Sequence, residues 1–173
     1  MAVSRHIELC EAVKTAFSAS TFLQSAVAGG WVVQKRFWWV NSFKSVVGKG
    51  FIAPLRRQNP AFENLKASFE LPILIGVVLP GEGAQSLANT DSDILIQIAE
   101  YIEDVFAFPG KNRLPPAIKN AGQCRSNPYT VEDFTVRPGD PYIQYALEAG
   151  NDAFAVVATA KIQLNKTDFS SLT

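Results

Sequence analysis

The stretch VVLPGEGAQS, Val77 to Ser86, is the part of this 173-residue chain that comes closest to a known chemical motif. Gly81, Gly83 and Ser86 form a G-x-G-x-x-S pattern between a predicted strand and a predicted helix, close to the fingerprint of dinucleotide-binding proteins. The third position is serine, however, and several residues separate the glycines from the helix cap near Asp91. A phosphate held by these glycines would not lie beneath the helix N-terminus. The pattern favours a glycine corner, with a nucleotide site as the alternative.

The other residues that could do chemistry are better explained by structure. The lysine of VVGKGF lacks the glycine and the Ser or Thr that a P-loop places around it, so Gly48 and Gly50 predict a bend or bulge in a strand. His6 lies among charged residues with no Ser or Cys beside it, which is typical of a solvated surface histidine. The remaining candidates are three carboxylates on the polar face of a predicted helix, Glu100, Glu103 and Asp104. We therefore expect no catalytic residues and no enzyme activity.

Composition narrows the class of protein. Sixteen Lys and Arg residues balance sixteen Asp and Glu residues, so no global positive field attracts nucleic acid or an anionic membrane. The two cysteines have no CxxC spacing, and the one histidine has no nearby metal-binding partner, so we expect no metal site, no cofactor and no disulfide framework. No apolar run reaches the ~18 residues that span a bilayer, and the N-terminus lacks a signal-peptide pattern. These features predict one soluble domain, residues 1–173, made in a cytoplasm.

Hydrophobic spacing defines the elements of the first half of the chain. A helix capped by Ser4 carries one apolar stripe, Ile7, Cys10, Val13 and Phe17. WVVQKRFWWV and FKSVVGKGFI are rich in aromatic and β-branched residues and predict two strands, for which we expect antiparallel pairing. FELPILIGVVL is the clearest strand, because six apolar residues fall on one face at period two, and Pro72 predicts an edge near its start.

The second half alternates between clear and weak signals. An amphipathic helix is predicted from a cap at residues 89–91 to about Phe106. Residues 108–140 are rich in proline and predict a long loop, followed by a short helix near residues 141–149, the strand FAVVATAKIQL and a polar tail at 165–173. The predicted fold class is α+β: a mostly antiparallel sheet with two main helices packed on it.

The block KRFWW mixes cations and aromatic residues, as a platform for single-stranded nucleic acid does. A strand from Trp31 to Val40, however, would carry apolar side chains on both faces, and one of these faces needs a cover. A neighbouring subunit is the cover we expect, with burial by a loop of the same chain as the alternative. Together with the long loop, this reasoning nominates seven contact residues: Lys35, Arg36, Trp38, Val40, Arg113, Leu114 and Tyr129.

From about Ile7 to Leu164 the order of segments resembles the tail terminator, or tail completion, proteins of long-tailed bacteriophages and related prophage minor tail proteins. The resemblance is carried by IELCEAVKTAF, by VVQKRFWWV, by PLRRQNPAF leading into FELPILIGVV, by DILIQIAEYIEDVF and by the ending DPYIQYALEAGNDAFAVVATAKIQL. It includes no invariant chemical signature.

The resemblance implies an α+β protein without catalytic residues that forms a ring, a hexamer, at the head-proximal end of the tail. Such a ring caps the tail tube at full length and offers the neck a docking surface. Its partners would be the tail-tube protein and neck or connector proteins, and its place would be the virion after assembly in the host cytoplasm. The alternatives are another neck or head-tail connector protein, a tail-tube subunit, a small nucleotide-binding enzyme, or a nucleic-acid module built on the KRFWW block.

Overall fold

The computed structural model describes residues 4–27, 29–35, 48–55, 68–79, 97, 100–101, 114–124, 128–136, 143–146 and 152–164. Its labelled helices are α1 (Arg5–Ala19), α2 (Thr21–Ala26) and α3 (Pro116–Lys119). Its strands are β1 (Trp31–Val33), β2 (Gly50–Pro54), β3 (Ser68–Leu79), β4 (Tyr129–Val136), β5 (Ile143–Ala146) and β6 (Asp152–Leu164). The chain has an α+β fold, as the sequence predicts.

The described strands form one six-stranded sheet in the order β1-β2-β3-β6-β4, with β5 also paired to β6. At its centre, β3 and β6 run antiparallel along the whole of β3, from Ser68 opposite Gln163 to Leu79 opposite Asp152. Since β3 occupies one side of β6, β4 and β5 both lie on its other side. These pairs are antiparallel, as are β2 and β3.

The pairing of β1 with β2 is parallel, with Trp31 opposite Gly50. The expected antiparallel pair is therefore wrong, because the two strands run in the same direction. Gly48 has a φ of 75° in the turn before β2, where glycine is favoured. A Cβ on Gly50 would lie 2.5 Å from the Trp31 ring, so glycine allows these two strands to approach closely.

Helix α1 begins where the sequence predicts. The Ser4 hydroxyl accepts a hydrogen bond from the His6 backbone N–H and caps the first turn. The Ser20 hydroxyl caps α2 in the same way by accepting from the Leu23 N–H. The buried face of α1 includes Cys10, Val13 and Phe17 of the predicted stripe but not Ile7, which is half-buried. Its other buried members are His6, Leu9 and Ala16.

Alternation along the strands divides the apolar residues between the two faces of the sheet. The helix-covered face of β3 carries four of the predicted residues, Leu71, Ile73, Ile75 and Val77. Phe17 of α1 meets Trp31 of β1 edge to face there, with ring centroids 4.8 Å apart. The opposite face holds a smaller buried cluster, Phe51, Ala53, Leu74, Val78 and Ala155.

Two segments differ from the predicted elements. The proline-rich segment 108–140 contains the helix α3 and the strand β4 rather than a continuous loop. Prolines at 128 and 138 flank β4 without interrupting it, so its ladder with β6 is kept. Residues 143–146, predicted as part of a short helix, form β5, because pairing with β6 competes successfully with the local Asp-Pro capping pattern.

The predicted helix near residues 91–106 is described at three positions. Gln97, Glu100 and Tyr101 have helical backbones, and Gln97 and Glu100 are exposed. The Ser20 hydroxyl donates to the Tyr101 hydroxyl at 3.0 Å, and the rings of Phe22 and Tyr101 are 4.9 Å apart. This position therefore packs against α2, while the rest of that helix and the predicted tail at 165–173 lie outside the described residues.

Candidate functional site

The first turn of α1 places polar side chains against the sheet. His6 is 8% exposed, and its Nε2 lies 2.6 Å from the carbonyl oxygen of Pro72. The prediction of a solvated histidine is therefore wrong. The residues next to His6 in the sequence do not reveal that a backbone carbonyl of β3 accepts a hydrogen bond from its side chain. With Nε2 as the donor, this hydrogen bond fastens the start of α1 to the centre of the sheet.

Pro72 lies on β3 at the point where the pairing with β2 ends. The paired residues of β2 end with Pro54 opposite Ile73, and the Leu55 N–H donates to the Pro72 carbonyl at 3.0 Å. The N–H and C=O of one strand residue point to the same side of the strand, and the Pro72 C=O points toward the end of β2. The N–H that proline lacks would therefore have pointed the same way. The predicted edge is thus confined to this point, since β3 as a whole is an interior strand.

Tyr129, a nominated contact residue, belongs to the core. Its side chain is fully buried at the start of β4, and its hydroxyl lies 3.4 Å from the Glu8 carboxylate and 3.5 Å from the Arg5 carbonyl. Gly122 has a φ of 79°, and a Cβ there would lie 2.3 Å from the Tyr129 ring. Tyr129 is accordingly corrected from a contact residue to a core residue that joins β4 to α1.

Leu114 is corrected in the same way. It is 6% exposed and belongs to the core cluster that lies beneath α1. Burial of this apolar side chain in the core stabilises the fold of its own chain, whereas an apolar contact residue stays exposed to water until assembly. Four further nominated residues, Arg36, Trp38, Val40 and Arg113, lie outside the described residues.

Lys35 and the first residues of β1 are described. Trp31 and Val33 pack into the helix-covered core, whereas Val32 packs against the smaller cluster on the opposite face. The predicted two-sided apolar pattern is therefore present at the start of this segment. Lys35 is exposed in a bend after β1, and its role as a contact residue stays a prediction.

One half of the face opposite the helices is polar. We name it the polar patch and define it by eight residues, Glu70, Thr130, Glu132, Asp133, Thr135, Thr159, Lys161 and Gln163. The register places Glu70 and Asp133 on either side of Lys161, and the next row pairs Thr159 with Thr135. All eight side chains are exposed or half-buried. The sequence signal for this patch is the alternation of polar residues in YTVEDFTV and in TAKIQ.

Charge within the polar patch is unbalanced. Lys161 Nζ lies 3.7 Å from Glu132 Oε2, and their side chains are 54% and 23% exposed. Glu132 lies at a register shift between Val131 and Asp133, and such bulges re-aim side chains. The Asp133 carboxylate accepts a hydrogen bond from the Phe134 N–H. The eight residues of the polar patch thus include three carboxylates and one ammonium group.

The motifs singled out for enzyme or metal chemistry have few described residues. The glycine motif after β3, Gly81, Gly83 and Ser86, lies outside the described part of the chain. Across the described ranges, no three His, Cys, Asp or Glu residues are grouped to hold a metal ion. Both thiols are free, that of Cys10 buried and that of Cys124 exposed. Of the helices that the structure describes, none is long and apolar enough to cross a membrane.

Comparisons with known proteins were made on the whole chain. No protein-family model matches it, and no curated protein gives a significant match. The proposed function therefore rests on the architecture of the chain, its surfaces and the order of its segments.

Proposed function

We propose that this chain is a structural subunit of a ring at the head-proximal end of a long-tailed phage tail. In this proposal it caps the tail tube and docks to the neck as a homo-hexamer, within a virion assembled in the host cytoplasm. The observation that carries the proposal is the architecture, a mostly antiparallel sheet with α1 and α2 on one face. An α+β fold of this kind is what the resemblance to tail terminator proteins implies.

The sheet is suited to a subunit whose role is to bind other proteins at its surface. The β3–β6 pair has twelve consecutive paired positions at the centre of the described sheet, and such a ladder makes a stiff platform. A closed ring uses heterologous contacts, so each copy must present two different surfaces. β1 and β4 lie at opposite ends of the described strand order and carry different residues, which meets this requirement.

In this role the chain recognises other proteins by shape and charge, without a cofactor or a catalytic step. Its proposed partners are copies of itself, the tail-tube protein and the neck or connector proteins. The described residues proposed for such contacts are those of the polar patch and the exposed Lys35.

End-specific binding to tail tubes tests this proposal. Purified chain carrying a gold-labelled tag is added to tubes assembled without a terminator, and negative-stain images are recorded. We expect six-fold rings and label at one end of each tube. Label along the tube would instead identify a tube subunit, and label on isolated necks alone a connector. Unlabelled tubes together with only monomeric chain would contradict the proposal.

Trp38→Asp provides the matched variant for the same experiment. A charge at a subunit contact is expected to leave the monomer folded and to abolish both rings and end labelling. Circular dichroism and thermal melting monitor the fold of the variant. If the Trp38→Asp monomer itself unfolds, Trp38 belongs to the core and the subunit contact lies elsewhere.

A further inference from the structure

Strand β1 forms one end of the described sheet, and its hydrogen bonds to β2 fix the direction of its backbone groups. The Gly30 carbonyl and the Gln34 N–H, on either side of β1, both bond to β2 at 2.9 Å. Since the N–H and C=O of successive strand residues point to opposite sides, Val32 faces β2 as well. The N–H and C=O of Trp31 and Val33 therefore point away from the sheet.

We name these outward N–H and C=O groups of Trp31 and Val33 the outer edge. No strand of the described sheet pairs with it, and no hydrogen bond given by a described residue reaches it. Val32, Val33 and Gln34 are half-buried, so the strand is not sealed under the helices. Two donors and two acceptors in alternation match the backbone of one further extended strand.

We propose that the outer edge binds an extended segment of a partner protein, which joins the sheet as a strand antiparallel to β1. Its residue opposite Val32 is apolar, because Val32 packs on the apolar cluster of the face opposite the helices. A carboxylate lies opposite Lys35, the exposed cation in the bend after β1. This inference goes beyond the proposed function, because strand addition requires neither a ring nor a tail tube.

A blocked peptide of seven residues tests the edge. It consists of threonine with glutamate at the second position, opposite Lys35, and valine at the fifth, opposite Val32. Hydrogen exchange is followed by NMR at concentrations where sedimentation velocity shows single copies. Without the peptide, the amides of Trp31 and Val33 should exchange faster than that of Val32. Saturating peptide should slow both by about tenfold or more. Equal protection of all three amides without the peptide would overturn the proposal.

Two N-methylated peptides provide the matched controls. Methyl groups on the fourth and sixth residues replace the N–H groups that face the outer edge, and should raise the dissociation constant from about 1 mM by about tenfold or more. Methyl groups on the third and fifth residues point away from β1 and should change it by less than about twofold. Lysine in place of the glutamate should raise it about threefold. Equal binding of the two methylated forms, or no binding of the parent peptide at about 5 mM, would overturn strand addition.

Val33→Pro tests the same edge from the side of the chain. Proline removes an N–H that points outward, so the bonds from β1 to β2 are kept while strand addition is blocked. Peptide binding should be lost in Val33→Pro and retained in Val33→Thr, with circular dichroism monitoring the fold. If Val33→Pro unfolds, the methylated peptides decide. Peptide binding by a chain that never forms rings would contradict the proposed function alone, and rings without peptide binding would contradict this inference alone.

Discussion

The helix-covered face of the sheet and the polar patch are formed by the same strands but differ in the burial and polarity of their side chains. On the helix-covered face, Leu71 and Ile73 pair with Ala160 and Ala158, and all four are buried. One residue away along β3, Glu70 pairs with Lys161, and both are exposed on the other face. The first face is committed to the core of this chain, whereas the second remains accessible to water or to another protein.

The opposite face is itself divided along the strands. Leu74 and Val157 form a pair in its buried apolar half, and Glu70 and Lys161 form a pair four residues away in its polar half. Fold stability should therefore depend on the helix-covered face and the apolar half, and much less on the polar half. The following substitutions test that division.

Phe17→Ala is expected to give the largest loss of stability. Phe17 is fully buried between α1 and the sheet and packs edge to face on Trp31. Removing its ring leaves a cavity in the helix-covered core, which costs about 4 kcal/mol of unfolding free energy. Urea denaturation followed by circular dichroism measures this loss, with Phe17→Leu as the milder control. A loss below about 1 kcal/mol would mean that the helix-covered face does not carry the fold.

Cys10 makes the same face sensitive to alkaline pH. Burial of the thiol, aided by the nearby Glu11 charge, raises the pKa of Cys10 from 9.0 to about 12. Above pH 9 the unfolded chain loses this proton and the folded chain keeps it, so stability falls as the pH rises toward about 12. Compared with Cys10→Val, the parent chain should lose up to about 1.4 kcal/mol more per pH unit in this window. Parallel slopes for the two proteins would show that Cys10 is not buried from solvent.

His6→Leu tests the polar fastening between α1 and the sheet. The substitution removes the side-chain hydrogen bond to the Pro72 carbonyl, which still accepts from the Leu55 N–H. We expect a loss of about 1 kcal/mol in unfolding free energy. His6→Gln retains a donor and should lose less. Equal losses for Leu and Gln would assign the effect to packing and not to the hydrogen bond.

Thr159→Ala is expected to have the smallest effect on the fold. Thr159 is half-buried in the polar patch, opposite Thr135 on β4 and Pro72 on β3. A surface substitution away from the core changes stability by about 0.5 kcal/mol or less. Thermal melting beside Phe17→Ala checks the contrast directly. A Thr159→Ala loss approaching that of Phe17→Ala would show that the patch belongs to the core.

The sequence predicts the elements whose pattern is strong and local. The period-two pattern of β3, the β-branched run of β6, the cap of α1 and three of the four residues of its predicted stripe all appear in the structure. β4 is harder to predict because the prolines that flank it favour a loop. β5 is harder because its pairing with β6 outweighs a helical cap signal in its own sequence.

The remaining differences between the predictions and the structure arise from contacts between residues that are distant in the sequence. The parallel pairing of β1 with β2 depends on the path of the connecting chain, which the strand patterns do not encode. His6 is assigned to the surface from its neighbours in sequence, yet its acceptor, the Pro72 carbonyl, is 66 residues away. Tyr129 is nominated from a predicted loop, whereas β4 carries it to the first turn of α1. The polar patch exists only once β3, β4 and β6 are brought together.

Native mass spectrometry of the purified chain, alone and with tail tubes, tests the central claim most directly. The proposed function predicts a closed ring of six copies. A spectrum that contains only monomers under both conditions would contradict the assignment of this chain as a ring subunit of the tail.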